Sequence, residues 1–148
     1  MSPALPRLTR IGAAGCVAVS GLIHAQLYLH GYRTIPGVGP AFLLQASGAF
    51  AVALLSALRA AVLLRLAAAA LAAGALLGFI ASRTIGVFGF IEYGLQPAPQ
   101  ALISVIVEAA ALALLATPLL YRTTTRRAVS PRHQRGEIHG PPHVPLHR

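Results

Sequence analysis

The feature that most constrains this chain is a series of four long apolar stretches. A helix rises about 1.5 Å per residue, so each stretch is long enough to cross about 30 Å of hydrocarbon. None of them alternates apolar and polar residues as a half-buried strand does. The predicted spans cover about residues 11–30, 40–58, 60–82 and 98–121. We therefore predict an all-α fold, a four-transmembrane-helix bundle within residues 11–121.

Composition agrees with a membrane environment and excludes several soluble classes. Only 10% of the 148 residues are charged, against about 25% in an ordinary soluble domain, which is too few to cover a water-facing surface. The single cysteine, Cys16, excludes an intramolecular disulfide and a thiolate metal cluster within the chain. The chain has no nucleotide-binding, metalloprotease or hydrolase motif. We predict no metal and no cofactor.

The distribution of arginine predicts the orientation in the membrane. Four spans place both termini and the middle loop on one side, and this side holds ten of the twelve arginines. The positive-inside rule therefore places residues 1–10 and the C-terminus on the cytoplasmic side of a bacterial inner membrane. The net charge of +9 is found at the ends of spans and in the tail, which favours anionic lipid headgroups over nucleic acid as a partner.

Residues 122–148 are predicted to form a disordered basic tail in the cytoplasm. This segment has six arginines, four prolines and no sizeable apolar cluster, so it cannot offset the entropy of ordering. Three histidines recur at a spacing of four, at His139, His143 and His147. On a helix they would form a metal-binding face, but the nearby prolines break such a helix.

The two loops on the outer side differ in character. The loop at 31–40 is short, and its Pro36-Gly37 pair suits a type II turn, so the first two helices should be antiparallel neighbours. The loop at 83–97 is apolar, aromatic and rich in glycine, yet too short to span. We interpret it as an interfacial segment over the outer end of the bundle, with a lid over a ligand as the alternative. The outer aromatics predict an interfacial belt or, alternatively, an aromatic-lined cleft.

Three polar residues lie within the predicted spans, where polarity is costly. Glu108 lies about 15 Å below the outer end of the fourth span, and His24 lies about 9 Å deep in the first. Gln45 is at a similar depth in the second span. Together they form a candidate polar site, either a proton or ligand site or a set of interhelical hydrogen bonds. His30 and Glu92 are shallower and are predicted to be solvated.

A small-residue motif occurs in the third span. Gly74 and Gly78 form a GxxxG pattern, which predicts a surface for close helix packing within this chain or with another. The third span is the least secure prediction because it is rich in alanine, which favours membrane insertion less than leucine or phenylalanine. It therefore needs residues from Ala60 onward, with Arg65 reaching back to the interface.

Three sequence runs resemble those of a known group. They are GLIHAQLY at 21–28, YRTIPGVGP at 32–40 and GVFGFIE at 86–92. With Glu108, they are similar to small four-span integral membrane proteins of high-GC Gram-positive bacteria. The resemblance covers about residues 11–121 and implies a membrane class, without a catalytic residue.

Two functions follow from these features. The first is a non-enzymatic accessory or interaction protein of the membrane, with another membrane protein or a second copy as its partner. The alternative is a small carrier or binding protein for protons, an ion or an apolar molecule such as a quinone. Its site would be an outer-half pocket around His24, Gln45 and Glu108.

Overall fold

A computed structural model describes the backbone of residues 4–128 and the side chains of residues 5–117. It contains four long α-helices and one short 3-10 helix. In chain order these are α1 (Ala4–Leu29), the 3-10 helix (Tyr32–Thr34), α2 (Val38–Leu58), α3 (Val62–Thr84) and α4 (Gln100–Ala128). Each α-helix contains a stretch long and apolar enough to cross a membrane. The predicted all-α fold with four membrane-spanning helices is confirmed.

The helices extend beyond the apolar stretches from which they were predicted. Helix α1 begins at Ala4, ahead of the predicted Ile11, and α4 continues to Ala128, past the predicted Tyr121. Hydropathy marks only the part of a helix that lies in hydrocarbon, whereas backbone hydrogen bonds continue into the interface. Residues 122–128, predicted as the start of the tail, are therefore the last turns of α4. The remainder of the predicted tail, 129–148, lies outside the described residues.

Small residues face inward in this bundle and large ones face outward. The core cluster consists of the small residues Val17, Ala49, Ala53, Ala68, Ala72 and Ala111, which come from all four helices. Leucines such as Leu44 and Leu63 have about three quarters of their surface exposed. In a membrane such side chains are solvated by lipid, and small residues allow helix backbones to approach closely.

The closest approach is between α1 and α2. A Cβ atom built on Gly21 would lie 2.9 Å from the Cβ of Ala49 and 3.3 Å from the carbonyl oxygen of Ala46. Neither of these atoms belongs to a flexible side chain. The short connection of residues 30–37 therefore joins two antiparallel neighbours, as predicted.

Helix α4 continues through Pro118 because side chains replace a missing hydrogen bond. A proline has no N–H to offer the carbonyl four residues earlier, here that of Leu114. The hydroxyl of Thr117 donates to this carbonyl at 2.7 Å. One residue along, Nη2 of Arg65 donates to the carbonyl of Leu115 at 3.0 Å. Arg65, predicted to reach toward the interface, thus also ties α3 to α4.

The α1–α2 contact can be tested with a matched pair of glycines. We expect Gly21→Ala to destabilise the bundle by about 1–3 kcal/mol, because the added methyl would force the two helices apart. Gly15→Ala is the control, since a Cβ at Gly15 meets no atom within 4 Å. It should be neutral or stabilising by up to about 1 kcal/mol, through helix propensity alone. Thermal unfolding in one detergent measures both, and equal stabilities would contradict the close packing.

Candidate functional site

A cavity of about 210 Å³ lies in the outer half of the bundle. All four α-helices and both outer loops contribute to its wall. Its apolar lining includes Leu27, Val38, Phe42, Phe79, Val87 and Phe90, and its polar lining includes His24, Tyr32, Gln45, Ser82, Arg83, Glu92 and Ser104. The arrangement of mostly apolar walls with a few polar groups is typical of small-molecule sites.

Glu108 lies next to the cavity wall and holds two helices together. The side chain is 1% exposed, the most deeply buried of the ionisable groups in the described part of the chain. Its Oε1 accepts hydrogen bonds from the hydroxyls of Ser20 at 2.8 Å and Ser104 at 2.6 Å. Ser20 belongs to α1 and Ser104 to α4, so the carboxyl oxygen joins these helices in a region where water is absent.

His24 is connected to Glu108 through Ser20. Its Nδ1 lies 2.9 Å from the backbone carbonyl of Ser20 and 3.5 Å from the hydroxyl of the same residue. A carbonyl oxygen only accepts, so Nδ1 carries the hydrogen of this bond. In the neutral imidazole Nε2 is then left as an acceptor. His24 lines the cavity, whereas Glu108 does not.

Gln45 also lines the cavity but is bonded to a different helix. Its Nε2 donates to the carbonyl of Leu71 on α3 at 3.2 Å. The structure therefore brings His24 and Gln45 to one cavity, with Glu108 behind Ser104. It does not place Gln45 against the carboxyl group.

Gly74 and Gly78 face open space within this chain. A Cβ atom on either glycine would meet no atom within 4 Å, and both line the cavity. Among the described residues no helix of this chain packs closely on this motif, and close packing against a second chain stays a prediction. The missing side chains leave volume beside α3 that a neighbouring helix does not fill.

The outer end of the cavity is closed by a cap, which we define as residues 85–99. Arg83 holds it in place. Its Nη1 lies 3.2 Å from Oε2 of Glu92, and its Nε and Nη2 donate to the carbonyls of Gly94 and Gln96. The Tyr32 hydroxyl donates to Oε1 of Glu92 from the other outer loop. Burial and this bond raise the pKa of Tyr32 above its ordinary value.

The prediction that Glu92 is solvated was wrong. The Glu92 side chain is 15% exposed because Arg83 and Tyr32 enclose it. Sequence depth alone placed it at the interface, but the cap folds back over the bundle and buries it. His30 is exposed, as predicted.

The cap itself is shaped by a tight hairpin that rests on the connection just before α2. Val87 and Phe90 exchange two backbone hydrogen bonds across Phe88 and Gly89, and both central residues have positive φ. This is the pattern of a type I′ turn. The Phe88 ring lies so close to Gly37 that a Cβ there would be 2.5 Å from it. The cap covers the cavity as an interfacial segment, and Val87 and Phe90 line it from above.

The outer aromatics divide between the two roles that the sequence left open. Phe42 lies between His24 and Tyr32, with ring centroids 5.1 Å and 4.8 Å away. The Phe90 ring meets Tyr32 edge-on at 5.8 Å. These rings form the wall of the cavity. Tyr93, by contrast, is 80% exposed and fits the interfacial belt.

Sequence analysis missed two serines and one arginine. Ser20 precedes His24 by four residues, and Ser104 precedes Glu108 by four, so each pair shares one helix face. That spacing was the available signal. Nothing in the sequence indicated that Arg83 would organise the cap, since two of its three partners there are backbone carbonyls. Among the described residues, no group of three or more His, Cys, Asp or Glu side chains could hold a metal ion.

Comparison with known proteins gives no match for this chain, whether against protein-family models, curated proteins or solved structures.

The role of the Glu108 oxygen can be tested by substitution. We expect Glu108→Gln to change stability little, because its amide oxygen can still accept from Ser20 and Ser104. Glu108→Ala should cost about 2–4 kcal/mol, since it leaves a void and two hydroxyls without their acceptor. Thermal unfolding of both variants in the same detergent is the measurement. If Glu108→Gln lost as much stability as Glu108→Ala, an acceptor oxygen at this position would not be sufficient to hold α1 to α4.

Proposed function

We propose that this protein binds a small, largely apolar molecule in the outer half of the membrane. The cavity between the four helices carries this proposal. A cavity of about 150 Å³ lined by apolar side chains is known to bind benzene. The 210 Å³ found here therefore suits one aromatic ring with a small substituent, a size class that includes simple quinones and phenols.

An apolar ligand fits the wall better than a proton or an ion does. Glu108, the carboxyl group expected to carry a charge, is separated from the cavity by Ser104. Glu92 lines the cavity but is paired with Arg83. A bare ion would need several free oxygen ligands around one point. The accessory role stays a prediction, and so does the similarity to the Gram-positive group.

The membrane and the orientation belong to the same proposal. Four helices that can each cross a bilayer support a multi-pass membrane protein. The arginine distribution supports the bacterial inner membrane with both termini in the cytoplasm. The cavity then faces the outer leaflet, and a ligand reaches it from the lipid or from outside the cell. The basic tail supports contact with anionic headgroups on the opposite side.

Reporter fusions test this orientation. A fusion after Arg148 should report the cytoplasm, and a fusion at Pro97 should report the exterior. The physical reason is the arginine excess on the side of the termini. An external signal from the C-terminal fusion would contradict the proposed topology.

Filling the cavity tests the binding function directly. We expect wild-type protein in detergent to bind toluene saturably, and Gly78→Leu to weaken this binding at least about tenfold, because the new side chain occupies the ligand volume. Gly15→Leu is the matched control. Gly15 is also a helical glycine with open space around its Cβ, but it does not line the cavity.

Isothermal titration at matched detergent concentration measures both affinities, and thermal unfolding confirms that both variants are folded. Absence of saturable toluene binding to the wild type would contradict the proposed function. Equal loss of binding in the Gly15 and Gly78 variants would show that toluene binds elsewhere.

A further inference from the structure

Most of the donors on the cavity wall already have acceptors. The Tyr32 hydroxyl donates to Glu92, and the Ser104 hydroxyl donates to Glu108. The Ser82 hydroxyl donates to the carbonyl of Phe79 at 2.9 Å. Each of the three guanidinium nitrogens of Arg83 donates to an oxygen, including the hydroxyl of Ser82 at 2.6 Å. The wall therefore offers few free hydrogen-bond donors to a molecule in the cavity.

Acceptors on the same wall remain open. The Nδ1–H of His24 is used by the Ser20 carbonyl, which in the neutral imidazole leaves the Nε2 lone pair. One of the two amide N–H groups of Gln45 is used by the Leu71 carbonyl, and its Oε1 remains as an acceptor. Ser104, having donated its hydrogen, keeps its oxygen lone pairs. All three residues line the cavity.

His24 and Gln45 are both close to Phe42 on the cavity wall. The His24 ring lies against Phe42, with centroids 5.1 Å apart. Gln45 follows Phe42 by three residues on α2, so the two share a helix face about one turn apart. A single aromatic ring in the cavity can therefore approach both acceptors.

We propose that the ligand is a hydrogen-bond donor, a small aromatic alcohol of the phenol or hydroquinone class, bound through its hydroxyl by Nε2 of His24 and by Oε1 of Gln45. This inference rests on the proposed function and adds the chemistry of the ligand's polar group. In mostly apolar surroundings, a hydrogen bond between an unpaired acceptor and the hydroxyl of the ligand stabilises both groups. The oxidised quinone only accepts hydrogen bonds, so it cannot pair with these two acceptors.

The experiment compares phenol with anisole, which has the same ring and oxygen but no O–H. Binding is measured for the full chain in one detergent, and each variant is expressed as a ratio to wild type, so partition into micelles cancels. His24→Asn keeps an amide N–H near the position of Nδ1 and removes the acceptor at Nε2. It should weaken phenol binding about five- to tenfold and change anisole binding less than about twofold.

His24→Gln provides the rescue. Its longer side chain can place an amide oxygen near the position of Nε2, so phenol affinity should return to within about threefold of wild type. Retained anisole binding shows in each case that the cavity is intact and the protein is folded.

Three results would overturn the inference. If His24→Asn weakened the binding of phenol and anisole equally, the site would not recognise the hydroxyl hydrogen of the ligand. If phenol were unaffected, His24 would not be its acceptor. If benzoate bound more tightly than phenol and lost its affinity in Arg83→Met, the wall would select anions. In each of these results the proposed cavity function stands, whereas failure of both phenol and anisole to bind wild type would contradict that function itself.

Discussion

Inside a bilayer there is no water to satisfy a polar group, so each polar side chain must find its partner within the protein. The described helices satisfy several of their polar side chains by hydrogen bonds to neighbouring helices. The carboxyl oxygen of Glu108 receives hydroxyls from α1 and α4, and Gln45 on α2 donates to a carbonyl of α3. These bonds connect the helices in two pairs. The cavity lies between them, where small residues on α3 leave space.

The number and approximate position of the helices could be predicted from the sequence, because hydropathy depends on composition alone. The ends of α1 and α4 and the rotation of each helix could not. Whether His24 points at Glu108 or at a cavity depends on the partner helices, and hydropathy carries no information about that direction. Here Ser20 stands between the two residues. The same limit explains Gly74 and Gly78, since a GxxxG pattern shows that a close approach is allowed and not that a helix makes it.

The outer loops were the least predictable part, for a different reason. Their apolar residues suggested a segment lying over the outer end of the bundle, and the cap does cover that end. Its path, however, is set by bonds from the Arg83 guanidinium to backbone carbonyls, and any residue supplies a carbonyl. No sequence pattern therefore marks those contacts. Burial of Glu92 follows from this path and could not be read from its position in the chain.

The contact between Phe88 and Gly37 gives the outer surface an evolutionary constraint. The ring of one residue occupies the space that a side chain on the other would need. A side chain at position 37 would therefore need a smaller residue at position 88, and the positive φ of Gly37 would strain it even then. The two positions constrain each other, although 50 residues separate them in the chain. During evolution a change at one of them is therefore expected to depend on which residue already stands at the other.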